Sequence, residues 1–236
     1  MPDADHSESA PHHKWPALAF RSEALILLAP TVPTATLISL DRKAPAIVVG
    51  RRIAEGRLDV IRTADSDGVG QTIDHLIALG HRTITYVDGG TGVIAADRRR
   101  GYRTAMRRHG LDAGIRILRG DTTEAAGERA ARLLIDSGDL PTAVVTFNDR
   151  CAVGLLTALT RAGIAVPDEV SVAGYDDDPL SRLSCFDLTT VSQAAQDQAR
   201  QAVAAAVERL DEGRVEPREA VLTPRLVVRG SVTGPR

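Results

Sequence analysis

Pro141-Thr-Ala-Val-Val-Thr-Phe-Asn-Asp149, Arg150-Cys-Ala-Val-Gly-Leu-Leu-Thr-Ala-Leu-Thr-Arg-Ala-Gly-Ile164 and Ala165-Val-Pro-Asp-Glu-Val-Ser-Val-Ala-Gly-Tyr-Asp-Asp-Asp-Pro179 follow one another without a break. The apolar run Ala143 to Phe147 is too short for a helix, and Asn148 and Asp149 behind it are good caps for one, so a strand feeds a helix. That helix carries Val153, Leu155, Leu156 and Leu159 on or near one face. It stops at Gly163, and beyond Pro167 the residues Val170 to Tyr175 form a second strand. The stretch is one βαβ unit. Both strands end in polar, acidic residues, and in open parallel sheets ligands bind at the carboxyl ends of strands.

The surroundings are those of an ordinary globular chain. Of 236 residues, 43% are hydrophobic and 25% charged, enough to bury a substantial core in one large domain or two smaller α/β lobes. The net charge of −2 gives no electrostatic reason for this chain alone to bind nucleic acid. The cysteines, Cys151 and Cys185, form no paired framework and suit a reducing compartment. No apolar run reaches the length of a signal peptide or a membrane span, so the expected location is the cytoplasm, with no membrane partner.

Taken in order, Met1 to Arg21 is polar and broken by Pro2, Pro11 and Pro16, which predicts a disordered tail. His6, His12 and His13 within it match no metal-ligand spacing, and no metal site is expected. Strands are predicted at 24–29 and 46–49, with a short helix around 34–40 between them. Ser66 or Asp67 is expected to cap a helix running to Leu79. A strand at 83–87, a helix at 96–109, a strand at 115–118 and a helix at 123–137 lead into the βαβ unit. Residues 193–212 read as a long helix with Val203, Val207 and Leu210 on its buried side, followed by strands at 220–223 and 225–229.

The words Phe147-Asn148-Asp149-x-x-Ala-x-Gly, Gly163-Ile-x-Val-Pro-Asp-Glu-Val-Ser-Val-x-Gly-Tyr175-Asp176-Asp177 and Leu188-Thr-Thr-Val191 resemble the sensor core of LacI/GalR-type bacterial transcriptional regulators, from about Glu23 to Ser231. The resemblance implies an α/β fold of two doubly wound parallel-sheet lobes, of the periplasmic-binding-protein-like type I, with the effector cleft between them. The first lobe would hold residues 22–81 with 192–222, and the second 82–191 with 223–236. The family begins with a helix-turn-helix head, a hinge helix and two further βα units, none of which is expected in residues 1–21. The first lobe is therefore expected to be incomplete, with an unpaired edge on the 24–29 strand that Trp15 to Phe20 would pair only poorly. Operator DNA would be bound only through a head absent from this chain.

The resemblance also assigns site residues. Arg98, three before Gly101, would contact the effector, since a guanidinium offers paired hydrogen bonds to vicinal hydroxyls or a carboxylate. The competing reading is a solvated basic face shared with Arg99, Arg100, Arg103, Arg107 and Arg108. Asn148 would offer a donor and an acceptor, against a purely capping role. Asp176 would accept hydrogen bonds from effector hydroxyls. From the first lobe, only Gly50-Arg51 and Ala64-Asp65 would reach the cleft, and Asp65 serves equally well as a helix cap. Pro before Leu188 is replaced by Phe186-Asp187, an altered crossover.

Gly90-Thr-Gly-Val-Ile-Ala95 after a strand has the form of a dinucleotide fingerprint, with Asp121 as the acid. Its spacing is poor, and no catalytic acid, base or activated nucleophile accompanies it. No enzyme activity and no cofactor are expected. The expected function is effector sensing, with a sugar as ligand and a homodimer as the assembly. A transporter's sugar-binding protein and a non-functional fragment are the alternatives.

Overall fold

The computed structural model describes residues 21–53 and 58–236. Two compact units divide the chain. One contains the described residues through Arg62 together with Gln196–Ala220, and the other contains Thr63–Ala195 and Val221–Arg236. Each has its own sheet.

In the first unit, β1 (Leu25–Leu28), β2 (Ala46–Val49) and β3 (Asp59–Thr63) run parallel, and β9 (Glu219–Leu222) adds on beyond β3. Helix α1 (Thr34–Asp41) joins β1 to β2. Asp59, the first residue of β3, is fully buried, and its charge is met by Arg209 and Arg214 at 2.8 and 3.0 Å. A buried carboxylate needs such partners. The six-residue core of this unit contains Leu37, Val48, Ile53, Leu58 and Val60. Among the described residues β1 pairs only with β2, and Ile26 and Leu28 stand 41% and 74% exposed.

In the second unit the order is β5 (Arg116–Leu118), β4 (Ile84–Val87), β6 (Ala143–Thr146) and β7 (Ser171–Ala173), all parallel. Because side chains alternate along a strand, Ile84 and Tyr86 face one side of the sheet and Val87 the other. One face packs on α2 (Asp65–Ala78) and α3 (Val93–Arg108) through Val69, Ile73, Leu76, Tyr102 and Met106. The opposite face packs on α4 (Glu124–Asp136) and α5 (Asp149–Arg161) through Ala130, Leu134, Leu155 and Leu159. This is the expected α/β architecture of parallel sheet and covering helices. A two-stranded antiparallel ribbon of β8 (Thr190–Ser192) and β10 (Arg225–Val227) follows β7.

Several expectations change. The first boundary falls at 62/63 rather than 81/82, because α2 packs on α3 and shares its core. Strand β3 was not expected, since Asp59-Val-Ile-Arg-Thr63 has only two apolar residues and buries an acid at its start. Neither Ser66 nor Asp67 caps α2. Its first turn begins at Asp65 after Ala64, which offers no side-chain cap. On α6 (Ala195–Asp211), Val203, Val207 and Leu210 are exposed, while Ala202, Ala205 and Ala206 are buried. The small alanines form the buried face, and the larger side chains lie on another face of the helix. The predicted tail over residues 1–21, and Trp15 to Phe20 within it, lie outside the described residues except for Arg21.

Helices α4 and α5 approach through two glycines. A Cβ on Gly127 would lie 1.9 Å from the carbonyl oxygen of Cys151, and one on Gly154 would lie 1.9 Å from that of Glu124. Neither backbone can yield without moving a helix. We expect Gly154→Ala to destabilise the protein by about 3 kcal/mol, read from urea unfolding, as overpacking against backbone does. Gly70→Ala, inside α2 with nothing within 4 Å of its Cβ, serves as a control that should stabilise slightly, by about 0.5–1 kcal/mol.

Candidate functional site

Three strands of the second unit end in functional groups: β4 in Asp88, β6 in Phe147 and Asn148, and β7 in Tyr175 and Asp176. Arg98, in the second turn of α3, reaches over these ends. It is only 4% exposed. Its Nε donates to Asp65 Oδ1 at 2.8 Å, one terminal nitrogen to the Phe147 carbonyl at 2.6 Å, and the other to Asp176 Oδ1 at 3.3 Å. The guanidinium carbon lies 3.6 Å from the centre of the Tyr175 ring and 4.6 Å from that of Phe147. Cation–π attraction strengthens where water is excluded, as here.

The electrostatics follow from one cation facing two acids. Burial opposes the charge on Arg98, but Asp176 and Asp65 outweigh it and raise the guanidinium's pKa. Burial raises the pKa of Asp65 and of Asp176 and Arg98 opposes this in each, while Asp97 adds to the rise in Asp65 and Asp65 to that in Asp176. Their side chains are 6% and 35% exposed, so Asp176 is the one that meets solvent. Gln193 Nε2 also donates to Asp176 Oδ1. Beneath them the Tyr175 hydroxyl, buried and close to Asp65, has no partner in hydrogen-bond geometry. A Cβ at Gly68 would lie 2.6 Å from that oxygen, so the glycine of Ala64-Asp65-x-x-Gly68 makes room for the ring.

The turn bearing Asp176 is held from below by Asp149. Its backbone N–H donates to the Tyr175 carbonyl at 2.8 Å, its Oδ2 accepts from Asp178 N at 2.8 Å, and its Oδ1 accepts from Thr190 Oγ1 at 2.5 Å. Asp176 and Asp177 have φ of 120° and 54°, a left-handed backbone that L residues rarely adopt. Asp177 is further tied to Arg229 at 2.6 Å and to Arg182 at 3.0 Å. Burial pushes the Asp149 carboxyl up to about 7, Thr190 and the Asp178 amide oppose this, and Asp176 and Asp178 add to it.

Of the expected site residues, Arg98, Asp65 and Asp176 converge. Arg98 is buried and does not belong to a solvated basic face. Asp65 pairs with Arg98 instead of capping α2. Asn148 lies beside them, but its Oδ1 caps α5 by accepting from Cys151 N at 2.9 Å, and its Nδ2 donates to the Thr122 carbonyl at 3.1 Å. Arg51 belongs to the first unit, where it donates to the carbonyls of Pro30 and Val32, each at 2.8 Å, and fixes the loop after β1. Tyr175, Phe147 and Gln193 are not marked as site residues by the sequence, whereas Asp149 reads there as a structural residue, and it anchors the turn. With three tyrosines and three phenylalanines in the whole chain, an aromatic at two strand ends was the available signal.

The acid of the fingerprint-like stretch is engaged elsewhere. Asp121 accepts from Thr123 N at 2.7 Å and from Arg129 at 2.8 Å. Burial pushes the Cys151 thiol up to about 12, which keeps it protonated.

The model of the periplasmic binding protein-like domain matches residues 73–232. The HTH-type transcriptional regulator GalR of Escherichia coli is 35% identical over 218 residues, 91% of this chain and 64% of that protein. A solved LacI transcriptional regulator from a Rhodococcus species is 40% identical, with a TM-score of 0.89 over 94% of this chain and 83% of that one. The chain belongs to the LacI/GalR family. A second LacI family regulator, from Enterococcus faecium, was solved with bound ribose. It is 26% identical, with a TM-score of 0.83, and the match covers 92% of this chain and 82% of that one. This chain spans less than two thirds of the length of the curated LacI/GalR regulators it matches.

Asp149 makes the site pH-sensitive in a defined direction. A carboxyl with a raised folded-state pKa binds protons in the native state before the unfolded one does, so its contribution to stability falls as pH rises from about 4 to about 7. We expect the unfolding free energy of the wild type relative to Asp149→Asn to drop by about 2 kcal/mol between pH 5 and pH 8 in paired denaturant titrations. A difference that is flat or rising with pH would contradict the assignment.

Proposed function

We propose that this chain is the effector-sensing core of a LacI/GalR-type transcriptional regulator and that its effector is a sugar bound at the carboxyl edge of the second unit's sheet. The observation that carries this reading is the Arg98 guanidinium, fixed between two aromatic rings and held to Asp65 and Asp176, with the Asp176 carboxylate partly open to solvent. A fixed acceptor that is partly open to solvent and backed by a buried cation suits a ligand that carries hydroxyls. Asp176 accepts the effector's hydroxyls. Arg98 positions Asp176 through the ion pair between them. Asp65 sets the orientation of Arg98, while Asn148 contributes through the loop it fixes.

The bound ribose of the Enterococcus faecium regulator supports a sugar as the ligand class. In the whole protein we propose a homodimer in the cytoplasm, contacting operator DNA through a head outside this chain. Among the described residues no helix is long and apolar enough to cross a membrane. We propose no catalytic activity.

Thermal melts against a panel of monosaccharides and disaccharides, with nucleobases for comparison, test the reading, because a ligand that binds only the native state raises the melting temperature. We expect one sugar to produce a saturable upward shift. Asp176→Ala should weaken that sugar's binding by about 10- to 100-fold by calorimetry, the range for losing a hydrogen bond to a charged group. A shift produced by a nucleobase and by no sugar would overturn the assignment of the ligand.

A further inference from the structure

The polar centre of this site is unbalanced. It contains one buried cation, Arg98, and two carboxylates bonded to it, Asp65 and Asp176. A second cation near the same edge, Arg99, is already paired with Asp88 and spends a further contact on the Gly90 carbonyl at 3.4 Å. Arg182 and Arg229 both bind Asp177. Below the turn lies one more acid, Asp149, with its oxygens committed to Thr190 and Asp178. Each arginine named here thus has an acid partner, Arg182 and Arg229 sharing Asp177, and the group that meets solvent at the centre is the Asp176 carboxylate.

Resting on the sensor reading above, we propose that the effector is an uncharged polyol or sugar and that the site discriminates against its phosphorylated or carboxylated counterparts. An anion entering beside Asp176 would be a third negative charge around a single guanidinium. It could gain Arg98 only by displacing Asp65 or Asp176, which would leave a carboxylate buried and unpaired. A hydroxyl has no such conflict. It donates to the open side of Asp176 and leaves both ion pairs intact. The two rings against Arg98 work to the same end, since they pack apolar surface with their centres 3.6 and 4.6 Å from the guanidinium carbon and narrow the room for further polar contact. The guanidinium already donates to Asp65, Asp176 and the Phe147 carbonyl.

The experiment pairs each of ribose, galactose and glucose with its own phosphate monoester, in titrations on the full chain at matched ionic strength. In the pair that binds, we expect the neutral sugar to bind at least about tenfold more tightly, the scale of one like-charge contact at partly buried distances. In Asp176→Asn, which keeps an acceptor and removes a charge, that ratio should shrink several-fold, chiefly because the phosphate ester binds better. A phosphate ester binding as tightly as its sugar, or a ratio unchanged in Asp176→Asn, overturns the charge argument while leaving the sensor reading intact. If no member of any pair binds, the sugar reading itself fails and this inference falls with it.

Discussion

The buried guanidinium of Arg98 is the constraint around which the second unit is arranged. A cation at 4% exposure loses most of its hydration, and its bonds to Asp65, to Asp176 and to a backbone carbonyl must offset that loss. Each partner arrives on a different element. Asp65 stands at the start of α2, which must therefore lie hard against α3, and Gly101 is what permits it. A Cβ there would come 2.3 Å from the Ser66 carbonyl oxygen. Gly68 on the same helix leaves space for Tyr175, whose ring underlies the guanidinium. Two glycines and one arginine thus fix the separation of two helices and the depth of the site together.

The Asp176 side depends on a strained turn. Two successive non-glycine residues with positive φ cost on the order of 1–3 kcal/mol each. That cost is borne because the segment is held at several points. Asp149 binds the Tyr175 carbonyl and the Asp178 amide, Thr190 donates to Asp149 and accepts from Asp177 N, and Arg229 holds the Asp177 carboxylate. Thr190 and Arg229 lie on β8 and just past β10, so the ribbon beyond β7 is coupled to the acid offered to ligand. A terminal segment that looks peripheral in sequence, 225–229, therefore helps set the geometry of the site.

What could be read from the chain beforehand divides along physical lines. Fully buried parallel strands appear as short apolar runs, and the helices between them announce themselves through caps and periodicity. Accordingly β2, β4, β6 and the helices α3 to α5 were recognisable from composition alone. Arg98, Asp65 and Asp176 were marked by the family resemblance, and the structure brings these three together. The failures have a common cause, which is polar groups whose partners lie far off in sequence. Asp59 hides β3 because the arginines that neutralise it are about 150 positions away, Arg209 and Arg214. Asp65 passes for a cap because nothing local reveals Arg98. The face of α6 differs for another reason: hydrophobicity ranks valine and leucine above alanine for burial, yet on this helix Ala202, Ala205 and Ala206 are buried and Val203, Val207 and Leu210 exposed.

The division into units also bears on how selectivity and response can be separated. Arg98, Asp65, Asp176, Gln193, Phe147, Tyr175 and Asp149 all belong to one compact unit, with a sandwich core on both faces of its sheet. The charge balance that decides which ligands are tolerated is therefore internal to that unit. The first unit has a smaller core, a β1 edge bearing exposed Ile26 and Leu28, and an exposed row of Val203, Val207 and Leu210 on α6. Exposed apolar side chains of this kind are places where further protein can pack. Substitutions there leave the Arg98 ion pairs untouched, so the groups that select a ligand and the surface of the first unit can vary independently within a single chain.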